Sequence, residues 1–144
     1  MIIFKSCYPV TKIISDTQLN TYKKEYWKIA KVIGNYPDKL FIALTPPPLR
    51  SELTHPHYAR RARLFSQWLL SKEFVGKRKN LVVFDLFNLL AEENSPNAKA
   101  NTLKENYCRR LSFDSHPNTR ANQEIAPLFV DALIAEIQHF FSVS

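Results

Sequence analysis

Leu40-Phe41-Ile42-Ala43-Leu44, closed by Thr45 and the run Pro46-Pro47-Pro48, is the stretch that decides the fold. A short apolar run without polar alternation suits a strand whose two faces are both covered. Proline has no N–H to give to a sheet ladder, so the strand must stop before Pro46. Two other runs have the same character: Leu81-Val82-Val83-Phe84, ending at Asp85, and Ile2-Ile3-Phe4, running into Lys5-Ser6-Cys7-Tyr8-Pro9. Helical patterns separate the runs. Leu19, Tyr22, Tyr26, Ile29 and Ile33 recur at steps of three and four and predict a helix from Thr17 to Ile33. Ser15 and Gln18 have capping-box spacing at its start, and Gly34 and Pro37 stop it. Tyr58, Ala62, Phe65 and Leu69, flanked by Trp68, predict a second helix from Tyr58 to Ser71. A short helical turn is expected over Phe87 to Ala91, and the polar segment from Glu92 to Asn101, with Pro96 inside it, reads as a loop. Ile125, Phe129, Ala132, Leu133, Ile137 and Phe140 form the apolar face of a last helix from about Thr119 to Phe141, with a kink or restart expected at Pro127.

Strands alternating with helices imply a parallel α/β sheet with right-handed crossovers, here of about three strands with flanking helices, in one domain over residues 1–144. Such sheets carry function in the loops beyond the carboxyl ends of their strands. Four segments are expected to gather there: Lys5 to Tyr8, Thr45 to Pro48, Asp85 to Asn88, and Asp114 to Asn118.

Composition narrows the class. An apolar content of 45%, with 12% aromatics and two glycines, excludes a disordered or low-complexity chain. No unbroken apolar run reaches the roughly 18 residues of a membrane span, and the start lacks the blocks of a signal peptide. A soluble chain without a membrane span is therefore expected, and the compartment is left open. Cys7 and Cys108 are too few and too far apart for a disulfide scaffold or a zinc site, and read as free thiols. His55-Pro56-His57 offers two ligands and no third at suitable spacing, so no metal is expected. The net charge of +7 favours acidic partners in a general way. The cations are dispersed, however: Lys23, Lys24, Lys28 and Lys31 on one helix, Arg60, Arg61 and Arg63 on another, then Lys77, Arg78 and Lys79. No RNA-binding, zinc-finger or basic-zipper signature accompanies them, so solvated helix faces account for most of the charge and nucleic acid is a minor reading.

The chemistry-bearing motif is Asp114-Ser115-His116-Pro117-Asn118, just before the last helix. An Asp two positions before a His can orient and stabilise the imidazole while the imidazole takes a proton from a nucleophile. Asp114 has an alternative as cap of the last helix, and His116 as a locally hydrogen-bonded helix-start residue. Ser6 and Cys7 follow a strand and can face the same edge; a thiol beside a histidine is a nucleophile when its pKa is lowered. The plainer reading is of small residues beside the sheet. Asp85 either faces the site or caps the next turn through Asn88. Pro46 to Pro48 read as a rigid wall, and Tyr22, Tyr26, Trp27, Phe65 and Trp68 as core.

Taken in order, Lys5-Ser6-Cys7-Tyr8-Pro9, Tyr36-Pro37-Asp38-Lys39-Leu40-Phe41, Thr45-Pro46-Pro47-Pro48-Leu49, Val83-Phe84-Asp85-Leu86-Phe87 and Asp114-Ser115-His116-Pro117-Asn118 resemble the carboxyl-terminal part of the SGNH (GDSL-like) hydrolase family. Ala121-Asn122, Ala126-Pro127 and Phe129-Val130 extend the likeness, which covers nearly the whole chain. The resemblance implies a flavodoxin-like three-layer α/β/α fold, a serine ester hydrolase acting without a cofactor on acylated sugars, lipids or other small esters, His116 as base and Asp114 as its orienter. The family's first strand, its Gly-Asp-Ser nucleophile block and its oxyanion Gly have no counterpart here. Lys5-Ser6-Cys7 stands where the family has its oxyanion Asn, and Asp114 and His116 are one residue closer than the family's Asp-x-x-His. Two expectations stay open. One is an SGNH-type ester hydrolase, or a fragment of one, whose nucleophile comes from another segment, a partner chain, Ser6 or Cys7. The other is a truncated, non-catalytic relative that binds a partner. In the resembled family the first strand lies beside the one that is here Ile2 to Phe4, so self-association or pairing with another polypeptide is expected along that edge.

Overall fold

The computed structural model describes residues 1–110 and 114–142, with the backbone alone at Tyr8. Strands β1 (Ile2–Lys5), β2 (Phe41–Leu44) and β3 (Leu81–Phe84) form one parallel sheet in the order β1-β2-β3. Ile2 pairs with Phe41 and Phe41 with Leu81, while Lys5 pairs with Leu44 and Leu44 with Phe84. The three strands therefore end level, and the chain leaves all of them at one edge.

The unbroken apolar character of the strands follows from what covers them. Phe41, Ala43 and Leu81 point to a core built by α1 (Asp16–Ile33), α2 (Pro56–Leu69) and the short α3 (Lys72–Val75), through Tyr26, Ala30, Phe65, Trp68 and Phe74. Leu40, Ile42, Val82 and Phe84 point the other way, onto Phe129, Leu133, Ile137 and Phe140 of the last helix, α5 (Thr119–Ser142). A further short helix, α4 (Leu86–Leu90), follows β3. Helix, sheet and helix make three layers, the α/β/α arrangement of a partial flavodoxin-like fold with a short parallel sheet.

Local chemistry fixes the helix ends. The Ser15 hydroxyl accepts the Gln18 N–H at 3.1 Å and the Gln18 side chain accepts the Ile14 N–H at 2.8 Å, a reciprocal cap. Helix α2 starts earlier than its apolar periodicity, at Pro56, because proline is preorganised for the first helical position and needs no donor there. His55 is its cap, with Nδ1 accepting the His57 N–H at 3.4 Å. The His-Pro-His motif thus makes a helix start, and no group of three or more metal-ligating side chains occurs among the described residues.

The structure bears on two expectations about α5. Pro127 does not divide it; the helix is continuous from Thr119 to Ser142. Proline removes one interior hydrogen bond, and packing against the sheet on the side of Phe129, Leu133, Ile137 and Phe140 holds the remainder. The helix is also long and apolar enough, by length and composition, to cross a membrane. Asp131 and Glu136 interrupt its apolar run. Leu128, Val130, Ile134 and Phe141 on its outer flanks are exposed, as are Ile2 and Ile3 on the outer strand β1.

Candidate active site

The Asp114–Asn118 turn is fastened from both sides. Ser115 is fully buried, and its hydroxyl accepts the Arg50 N–H at 3.1 Å, tying the turn to the segment that leaves β2. Asn118 donates from its side-chain amide to the carbonyls of Asn106 (2.9 Å) and Cys108 (3.0 Å), and its N–H goes to the Tyr107 carbonyl at 2.9 Å. The Asn118 side-chain oxygen accepts the Ala121 N–H at 3.0 Å, so Asn118 is the cap of α5.

Asp114 bonds within the turn instead. One of its oxygens accepts the His116 N–H at 2.9 Å and lies 3.4 Å from His116 Nδ1. A carboxylate beside Nδ1 can orient the imidazole ring through that nitrogen. The imidazole is half exposed and lies on the wall of a cavity of about 310 Å³. This size is at the lower end of the range for small-molecule sites.

The cavity sits at the carboxyl edge of the sheet. Lys5, Leu44 and Phe84, the last residues of the three strands, all line it. Leu86 and Leu90 of α4 and Ile125 and Phe129 of α5 supply most of the remaining apolar wall, and Pro47 closes one side. Pro46, Pro47 and Pro48 are buried, and the carbonyl of Pro47, which lines the cavity, accepts the Thr11 hydroxyl at 3.1 Å.

Of the residues after β1, Cys7 lines this cavity together with His116, and Ser6 does not. The Ser6 hydroxyl is 2.6 Å from the Tyr26 hydroxyl, on the α1 face. The pleat explains the division: Phe4 and Ser6 fall on one side, Lys5 and Cys7 on the other. Burial pushes the Tyr26 phenol above its ordinary range, and the Ser6 hydrogen bond partly opposes this. The Tyr8 side chain lies outside the described residues. Asp85 follows β3 but turns away from the cavity. Its carboxylate takes the Asn88 N–H at 3.2 Å, the Asn88 side-chain amide and the Thr45 hydroxyl at 3.3 Å. It is the cap of α4.

A second concave surface lies on the far side of the same turn and was not visible in the sequence. Arg50, Arg109, Arg110 and Arg120 line a cleft of about 950 Å³ together with Asn106, Cys108 and Asn118. Arg50 comes from a distant stretch and the other three from residues 109–120 without a repeat, so no periodicity announces them; the Arg109-Arg110 pair is the single local signal. Burial pushes the Cys108 thiol up, which keeps it protonated at neutral pH.

The chain matches no protein-family model, no curated protein and no solved structure in the comparisons made.

Proposed function

We propose that this chain carries the acid–base part of an SGNH-type serine ester hydrolase, with His116 as general base and Asp114 as the residue that orients it. The observation that carries the reading is the Asp114 carboxylate 3.4 Å from His116 Nδ1, beside an apolar cavity at the carboxyl edge of the sheet. The cavity suits an acyl group, and Nε2 of His116 is the nitrogen that would take the proton of an attacking hydroxyl. Ser6 is a poor source of that hydroxyl because it is bonded to Tyr26 on the α1 face. The nucleophile and the oxyanion donors are then supplied by polypeptide placed alongside β1.

Residues 1–144 alone should hydrolyse short acyl esters little above the buffer rate. One missing oxyanion donor costs about 3–4 kcal/mol of transition-state stabilisation, before the missing nucleophile is counted. The decisive experiment begins with the coding DNA immediately upstream. If it holds an in-frame Gly-Asp-Ser-like block, the extended protein should be labelled at that serine by a fluorophosphonate, and His116→Ala should suppress the labelling. Robust esterase activity of residues 1–144, abolished in Cys7→Ala, would replace the serine with the thiol. Extended protein that is folded yet unlabelled would remove the hydrolase reading. A second reading, a partner-binding domain without catalysis, is favoured by the exposed Ile2 and Ile3 on the outer strand. It predicts that His116→Ala leaves partner binding unchanged.

A further inference from the structure

We propose that the arginine cleft on the far side of the His116 turn binds a phosphate group of a small-molecule ligand. It holds four of the chain's eight arginines and none of its twelve lysines. The guanidinium group presents a planar fork that matches phosphate oxygens two at a time, which ammonium does not.

Three of the four cations, Arg50, Arg109 and Arg120, are held by hydrogen bonds, and Arg110 is exposed. Arg50, with a largely covered side chain, is fixed by Glu52 at 3.4 Å and by the Arg109 carbonyl at 3.2 Å. Arg109 Nε donates to the Pro117 carbonyl at 3.4 Å. Arg120 is bound to Glu124 at 2.6 Å, and the other oxygen of Glu124 is taken by the Tyr107 hydroxyl at 2.6 Å. The carboxylate that lines the cleft, Glu105, is engaged by Lys99 at 2.9 Å. Among the described residues no carboxylate is left for Arg109 or Arg110. The frame beneath them is stiff, because Asn118 bonds the carbonyls of Asn106 and Cys108. A concave surface with excess positive charge concentrates anions.

The lining favours a small ligand over a nucleic acid. Binding of single strands uses aromatic platforms on which bases stack, and among the described residues no Phe, Tyr or Trp lines the cleft. The inference stands apart from the hydrolase reading, since it needs neither His116 nor a nucleophile.

Calorimetric titration of residues 1–144 with pyrophosphate and with inorganic phosphate at low ionic strength tests it. Saturable binding at one site is expected. Arg110→Gln should weaken it about tenfold, the order for loss of one charge-assisted paired contact. Arg109→Gln/Arg110→Gln should weaken it further. Lys23→Gln/Lys24→Gln removes the same charge from α1 and should leave the affinity within about twofold. Circular dichroism checks that each variant is folded, and the single Arg110→Gln change, at an exposed side chain, keeps the test open if the double variant is not. Absence of saturable heat overturns the proposal. So does an equal loss in the lysine control, which would make the attraction diffuse, and so does binding of an RNA oligonucleotide that depends on Arg109 and Arg110 when pyrophosphate binding does not.

Discussion

A single carboxylate oxygen of Asp114 serves the His116 backbone N–H and faces the His116 ring. That economy is possible because a neighbour, Asn118, has taken over the helix cap. Asn118 also ties down two carbonyls of the 106–108 segment, so its truncation should disturb more than a helix end. Asn118→Ala is expected to lower stability by at least about 1–2 kcal/mol, the upper part of the range for lost caps, measurable by denaturant unfolding. Asn118→Asp keeps the cap but cannot donate to the carbonyls, so it should recover part of the loss. At this scale the sequence was legible where chemistry is local. The Asp-x-His spacing already brings the two side chains together, whereas the division of Ser6 from Cys7 shows only in the structure. The contest between Asp114 and Asn118 for the cap was not legible, because both are good capping residues and only the bonds to Asn106 and Cys108 decide it.

Between elements, two buried hydroxyl groups carry much of the specificity. Thr45, fully buried just after β2, accepts the Phe87 N–H at 2.7 Å and bonds the Asp85 carboxylate, so it joins the ends of β2 and β3 to the start of α4. Thr45→Val preserves the shape and leaves that N–H unpaired. The expected cost is about 1–3 kcal/mol, read from the unfolding midpoint, with Thr45→Ser costing much less. Tyr26 joins α1 to the segment after β1 through Ser6. Burial raises its folded pKa above the unfolded value of about 10. The unfolded chain therefore ionises first on the alkaline side. The contribution of this group to stability is complete below about pH 10 and is lost as pH rises through the folded pKa. Tyr107, raised mainly by its hydrogen bond to Glu124, acts in the same direction. Thermal melts above about pH 10 should thus show falling stability. Tyr26→Phe should flatten the fall without removing it; identical slopes in both proteins would refute the assignment. The strands and the long helices were readable in the sequence from their periods. The start of α2 was not, since its first turn at Pro56 and His57 is exposed and carries no apolar repeat.

Across the whole molecule, both outer strands of the sheet are edges, and β1 is the more exposed of the two. Strand β1 is bonded to β2 along one edge, and its outer residues Ile2 and Ile3 are 46% and 43% exposed. Ile3 lies in register with Ile42, which packs toward α5, yet on β1 that face is uncovered. Helix α5 adds Val130, Ile134 and Phe141, spaced by four and seven residues and hence along one flank, to the exposed apolar surface. Stable monomers rarely leave a strand edge and apolar flanks bare together. When residues 1–144 are alone in solution, a second copy is the available cover. A two-fold dimer would place the β1 strands side by side and antiparallel, because the symmetry axis reverses the strand direction. Sedimentation at tens of micromolar should therefore give a species of about twice the 16.8 kDa chain mass. Ile3→Lys places a charge on the edge, the device by which natural sheets resist pairing, and should shift the population to monomer while leaving the circular dichroism spectrum unchanged. Phe141→Ser, at the far end of α5, should have a smaller effect if β1 is the contact. If the two variants were equally effective, the contact would run along the helix instead. A monomer at every concentration would mean that this edge is tolerated bare, and the case for polypeptide placed alongside β1 would lose its physical support.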